Sequence, residues 1–150
     1  MRFSGRTVRW RAAFASGFTA LVLFAAAPVK AQDYAKGLDA YDRGDYETAL
    51  VNIRPLAERG GMAAQHQLGL MYQRGHGVGQ DHVQAVHWFQ KAAEQGNPDS
   101  QYELSTALDQ GLGVEQDLEM SYRWLCTAAL NGHEEADETA WDLNVACASE

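Results

Sequence analysis

Shifted by 36 residues, the chain matches itself. Residues 61–96 align with 97–132 without a gap, and 11 of the 36 positions are identical. They are Gln65/Gln101, Leu68/Leu104, Gly75/Gly111, Gly77/Gly113, Val78/Val114, Gln80/Gln116, Asp81/Asp117, Trp88/Trp124, Ala92/Ala128, Ala93/Ala129 and Gly96/Gly132. Most are the glycines, alanines and aromatics that set how closely backbones approach. A fixed period of this length marks a stacked-repeat architecture, in which each unit buries its apolar face only against its neighbours.

Each period reads as two helices. Ala64, Leu68, Met71 and Tyr72 recur at spacings of three and four, on one face of a helix from about Met62 to Arg74. Gly75-His76-Gly77-Val78 breaks it, because glycine enters the left-handed region freely. Asp81 is placed to cap the second helix by accepting from its first-turn N–H groups, and Ala85, Trp88, Phe89, Ala92 and Ala93 form its apolar side. Gly96 ends that helix. Asn97-Pro98 opens the next unit, with proline in the first helical position where its missing N–H costs nothing. The small alanines allow close approach, and Trp88 and Trp124 are expected to fill the space between layers.

Both ends are variants. Tyr34–Arg43, followed by Gly44-Asp45-Tyr46 and Ala49-Leu50, reads as another helix pair with a shortened connection. Glu134–Ala146 reads as a lone closing helix whose surface carries Glu134, Glu135, Asp137, Glu138 and Asp142. A polar closing helix covers the apolar face that the last layer would otherwise expose. The expected fold is all-α, a solenoid of stacked helix–turn–helix units: a pair over 32–60, repeats over 61–96 and 97–132, and a capping helix within 133–150.

The first 31 residues stand apart. Arg2, Arg6, Arg9 and Arg11 form a basic head, an apolar run extends from about Phe14 to Ala27, and Val29 and Ala31 occupy the small-residue positions of a cleavage site before Gln32. This is the order of a secretory signal peptide, so export to the periplasm or beyond is expected. The run approaches membrane-spanning length, but Pro28 and the cleavage site favour removal. Trp10 separates Arg9 from Arg11, which excludes a twin-arginine signal, and the absence of cysteine excludes lipidation there.

Removal would leave 7 basic against 20 acidic residues, a net charge of −13 over 119 residues. Such a chain repels phosphate backbones and anionic membrane surfaces, so neither nucleic acid nor, once the leader is gone, membrane is an expected partner. It suits a protein or peptide with basic segments, although acidity also serves solubility alone.

Ala64, Leu68, Gly69, Tyr72, Gly75, Gly77, Val78, Asp81, Ala85, Trp88, Phe89, Lys91, Ala92, Ala93 and Gly96 together resemble the Sel-1-like repeat pattern, related to tetratricopeptide repeats. The second unit departs from it at Ser105, Leu108 and Thr127, where the pattern has glycine, tyrosine and lysine. The resemblance covers about 60–146, with a weaker, tetratricopeptide-like extension back to Tyr34. It implies a right-handed α-solenoid, a bacterial origin and a role as adaptor or scaffold, and it brings no catalytic, cofactor or metal residue. Two alternatives stay open: a structural subunit of an envelope assembly, or an envelope hydrolase, as credited to some cysteine-rich relatives.

Several other patterns fall short of a site. Gly75-x-Gly77-Val78 and Gly111-x-Gly113-Val114 follow helices rather than strands and lack the lysine of a phosphate loop. His66, His76, His82, His87 and His133 do not fall at metal-ligand spacing, since His82 and His87 lie five apart on different faces. No serine sits in a strand–turn–helix context. The acids from Glu134 to Asp142 lack the opposing carboxylate that sugar hydrolysis requires.

Cys126 and Cys147 are the only cysteines. An oxidising compartment favours their pairing. If 118–131 and 134–146 form a helical hairpin, however, Cys126 lies about eight residues, roughly 12 Å, from the position opposite Cys147. That exceeds what a disulfide spans, so the bond requires Asn144–Cys147 to leave the helix and fold back. On sequence grounds both states remain open.

In stacked helix pairs the first helices line the inner curve. Laid over this chain, the tetratricopeptide pattern puts Tyr34, Leu38 and Tyr41 there in the first layer, and Ala63, His66, Leu70, Gln73 and Arg74 in the second. The third layer contributes Asp99, Tyr102, Thr106 and Asp109, and the closing helix Glu135, Glu138 and Asp142. The candidate partner-binding residues are Tyr34, Tyr41, His66, Gln73, Arg74, Tyr102, Asp109 and Glu138, with tyrosines as anchors and acids matching basic groups.

Overall fold

A computed structural model describes residues 26–142 and Cys147. Among them lie seven helices and no strand: α1 Ala26–Asp42, α2 Tyr46–Glu58, α3 Met62–Arg74, α4 His82–Glu94, α5 Pro98–Gln110, α6 Leu118–Leu130 and α7 Glu134–Asp142. Each helix packs mainly on its chain neighbours, as in a right-handed α-solenoid of stacked hairpins. The 36-residue period is exact for the starts of α3, α5 and α7, and it reaches α2, which begins 36 residues before α4. Between α1 and α2 lie only residues 43–45, against 75–81 between α3 and α4, which is the shortened connection expected.

Polar residues fix the helix starts. Asp45, Asp81, Asn97 and Asp117 accept through their side chains from the backbone N–H of Thr48, Gln84, Ser100 and Met120. Gly75 and Gly111 close α3 and α5 in the left-handed conformation, at φ 72° and 67°. The second glycine of each turn has a different task. A Cβ on Gly77 would lie 2.6 Å from the carbonyl oxygen of Tyr46, and one on Gly113 would strike that of His82. Each turn thus leans on the start of the preceding pair's second helix, a contact that only a bare Cα permits.

The core is a row of small clusters. Ala40, Ala49, Ile53, Ala57, Ala64, Leu68 and Met71 join α1, α2 and α3, with Trp88 packed against them. Ala93, Leu104 and Leu108 join α4 to α5, with Trp124 alongside. Leu125, Ala128, Ala136 and Ala140 join α6 to α7. The tryptophans therefore lie between layers, as expected.

Buried glutamines knit the layers in a repeating way. Gln65 donates from Nε2 to the Ala57 carbonyl and accepts on Oε1 from Gln95; Gln101 does the same with Ala93 and Asn131. Each adds a hydrogen bond to a carbonyl in the last turn of the helix before it and has its own buried amide bonded there, which explains why this polar pair recurs among the apolar identities.

Both ends qualify the sequence reading. The expected basic head and most of the apolar run lie outside the described residues, and α1 continues through the expected cleavage point after Ala31. Among the described residues no helix is long and apolar enough to cross a membrane. The closing helix is described as far as Asp142; its expected continuation over 143–146 lies outside the described residues. Cys147 is in no helix and is bonded to Cys126 with their Cα atoms 5.1 Å apart; the expected fold-back over Asn144–Ala146 lies outside the described residues. Glu134, Glu135, Asp137 and Glu138 are exposed, but so is Trp141, at 85%, against a wholly polar cap. Trp141 falls 36 residues after Ser105 and 72 after Gly69, where a second helix is received in the earlier layers.

Candidate functional site: the face of the first helices

Polar contacts join each first helix to the next. Tyr34 donates from its hydroxyl to the Ala63 carbonyl at 3.2 Å, tying α1 to α3. Its half-buried position raises the hydroxyl pKa. Tyr41 pairs with His76 Nδ1 at 2.9 Å and accepts from Arg74 Nη1 at 3.1 Å. His76 stacks on Tyr46 with ring centroids 4.0 Å apart. Tyr41, Arg74 and two residues absent from the expected set, Tyr46 and His76, therefore form one aromatic, hydrogen-bonded cluster.

Between α3 and α5, His66 Nδ1 lies 2.8 Å from Ser100 Oγ, and Gln73 donates to Glu103 Oε2 at 2.8 Å. Burial lowers the pKa of His66; Asp99 and Glu103 oppose that shift, while Arg74 and His133 reinforce it. Between α5 and α7, Tyr102 stacks on His133 at 4.5 Å, and His133 Nδ1 accepts from the Ala136 N–H, capping α7. His133 Nε2 is 3.7 Å from Asp99.

The expected residues thus divide. Tyr34, Tyr41, His66 and Gln73 are half-buried and bonded to neighbouring layers, whereas Arg74, Asp109 and Glu138 are exposed. Tyr102 is half-buried, and it shares with Asp109 the edge of an open groove of about 280 Å3 between α5, α6 and α7. Among the described residues no three His, Cys, Asp or Glu side chains gather to hold a metal ion.

Sequence reasoning missed Tyr46, His76, Tyr122, Leu125 and Thr139. Tyr46 and His76 meet only because a turn leans on the preceding pair. The groove residues carried a fainter signal, namely that Gly69 and Phe89 both change, to Ser105 and Leu125, between units.

Residues 63–97 and 98–133 match the Sel1 repeat family. A Sel1 repeat protein from Oxalobacter formigenes is similar at 28% identity and a TM-score of 0.71, over 75% of this chain and 45% of that one. The protective antigen c5321 of uropathogenic Escherichia coli strains, which displays an SLR fold, is similar at 34% identity and a TM-score of 0.71, over 75% of this chain and 25% of that one. Helicobacter pylori cysteine rich protein B shares the fold at 21% identity and a TM-score of 0.58, over 61% of this chain and 68% of that one. The chain thus spans less than half the length of the first two. No curated protein matches it. Sel1-repeat proteins are typically non-enzymatic scaffolds that bind other proteins. Residues 63–133 thus carry two repeats of the Sel1 pattern, with helices of the same kind packed on either side.

Proposed function

We propose that the chain is an exported adaptor or regulator that holds a partner protein or peptide against the face built by α1, α3, α5 and α7. One observation carries the reading. Contacts from Tyr34, Tyr41, His66, Gln73 and Asp99 run from one first helix to the next segment that carries or caps one, so these helices form a continuous, cross-braced surface. A surface braced within the protein is pre-organised, which lowers the entropy lost on binding. The acids Asp109 and Glu138 are exposed on it and suit basic groups of a partner. Export is supported by the leader-like residues 1–31 and by the Cys126–Cys147 bond, which belongs in an oxidising compartment.

Affinity capture from envelope extract, with mass spectrometry of what is retained, tests the reading. Tyr102→Ala and Asp109→Lys are each expected to lose partner proteins that the unaltered chain retains. If both variants keep every partner, the face of the first helices is not the site. A native complex much larger than a one-to-one pair favours the structural-subunit alternative.

A further inference from the structure

Among the described residues, one place in the repeat is closed in the second layer and open in the third. Between α3, α4 and α5 only about 20 Å3 remains beside Phe89, which is fully buried against Gly69. The Gln73–Glu103 hydrogen bond braces α3 to α5 at the edge of that space. Thirty-six residues on, Leu125 replaces Phe89, Ser105 replaces Gly69, and Asp109 and Thr139 replace the bonded pair. Thr139 turns its hydroxyl to the Glu135 carbonyl of its own helix, so it makes no brace. The space between α5, α6 and α7 is then about 280 Å3, lined by Tyr102, Ser105, Asp109, Tyr122, Leu125 and Thr139 among others.

Charge marks what this opening suits. From Asn97 onward the sequence has 12 acidic residues and one basic residue, Arg123. Arg123 is paired with Glu119 at 2.7 Å. The groove lining contains no basic side chain, and it combines an exposed carboxylate at Asp109 with the aromatic rings of Tyr102 and Tyr122. An exposed carboxylate sharing one lining with two tyrosines is a setting for a lysine or arginine, while Leu125 gives an apolar floor.

We propose that this groove is the anchoring subsite for the partner: it takes one apolar side chain of a bound peptide segment, with an adjacent lysine or arginine meeting Asp109. The inference rests on the protein-binding reading above and locates it. The repeat itself supplies the means of closing the groove, since Ser105→Gly with Leu125→Phe restores the pairing already present at Gly69 and Phe89.

The probe is a fluorescein-labelled Lys-Trp-Lys-Leu-Lys peptide, compared with its Glu-Trp-Glu-Leu-Glu counterpart, by anisotropy and by amide shifts in a 15N-labelled chain spanning 32–150. The basic peptide is expected to bind and to shift Ser105, Asp109, Tyr122, Leu125 and Thr139. The filled variant is expected to melt at or above the unaltered temperature while weakening binding by about tenfold or more. Asp109→Asn is expected to weaken the basic peptide and leave the acidic one unchanged. Equal affinity of the filled variant, shifts confined to Tyr34–Arg74, equal binding of both peptides, or binding of neither overturns the proposal. The adaptor reading is judged separately by capture: if the filled variant captures the same envelope proteins as the unaltered chain, the groove fails and the adaptor stands, whereas capture of nothing by either ends the adaptor reading.

Discussion

A Cβ placed on Gly69 would lie 2.6 Å from the Phe89 ring, so the second layer closes only because α3 carries no side chain there. Gly69→Ala is expected to cost about 1–3 kcal/mol through overpacking. In a Phe89→Leu background the same change should cost markedly less, because the third layer already combines a small side chain, Ser105, with Leu125. A double-mutant cycle by urea unfolding measures the coupling. Strict additivity would mean that the two positions do not share this contact.

The paired glutamines make a second prediction. Gln101→Leu removes one donor to the Ala93 carbonyl, which keeps the Gly96 N–H, and the acceptor for Asn131, and should cost about 0.5–1.5 kcal/mol. Gln65→Leu should cost a similar amount, because its bonds to Ala57 and Gln95 repeat the same geometry. Chemical denaturation checks both, and near-neutrality of either would show that its bonds are not retained in solution.

The disulfide closes a loop with a sequence separation of 21. Replacing Cys126 and Cys147 together by serine should lower stability by about 3 kcal/mol on the chain-entropy account. Hydrogen exchange should show the loosening concentrated in α6 and α7. Titration of the unfolded, unreduced chain should find no free thiol.

Stability should respond to pH through His66. Burial lowers its pKa in the folded chain, so below the ordinary histidine value of about 6.5 the unfolded chain binds the proton more readily. Its contribution is therefore full above that value and is lost as pH falls through the folded pKa. Asp99 and Glu103 face it and blunt the loss, while Arg74 and His133 sharpen it. The melting temperature should drop less between pH 7.5 and 5 in His66→Asn than in the unaltered chain. An identical drop in both would remove His66 as the cause.

Much of the fold was legible because the 36-residue period states it twice. Asp81 and Asp117 cap, Gly75 and Gly111 stop, and alanines pack in both units, so each assignment checks the other. Less of the surface was legible, because it depends on pairs from different units. Tyr46 meets His76 through the lean of one turn on the preceding hairpin, and the groove lies where Gly69 and Phe89 have both changed. Comparing the units by their differences, as well as by their identities, would have pointed to Ser105 and Leu125. The disulfide could not be decided from helical spacing, because a helix continued as far as Cys147 would hold the two cysteines too far apart, and Cys147 is in no helix. Trp141 aligns with Gly69 and Ser105, so neither repeat carries an aromatic there to signal it.

The central claim is that the braced first helices, joined in the third layer by α6, form the binding face, and that α2 and α4 do not. Hydrogen–deuterium exchange on residues 32–150, alone and with a captured partner, tests it most directly. The account predicts new protection in α3 and α5, strongest around Tyr102–Asp109, with little change in α2 and α4. Protection confined to α2 and α4 would contradict it.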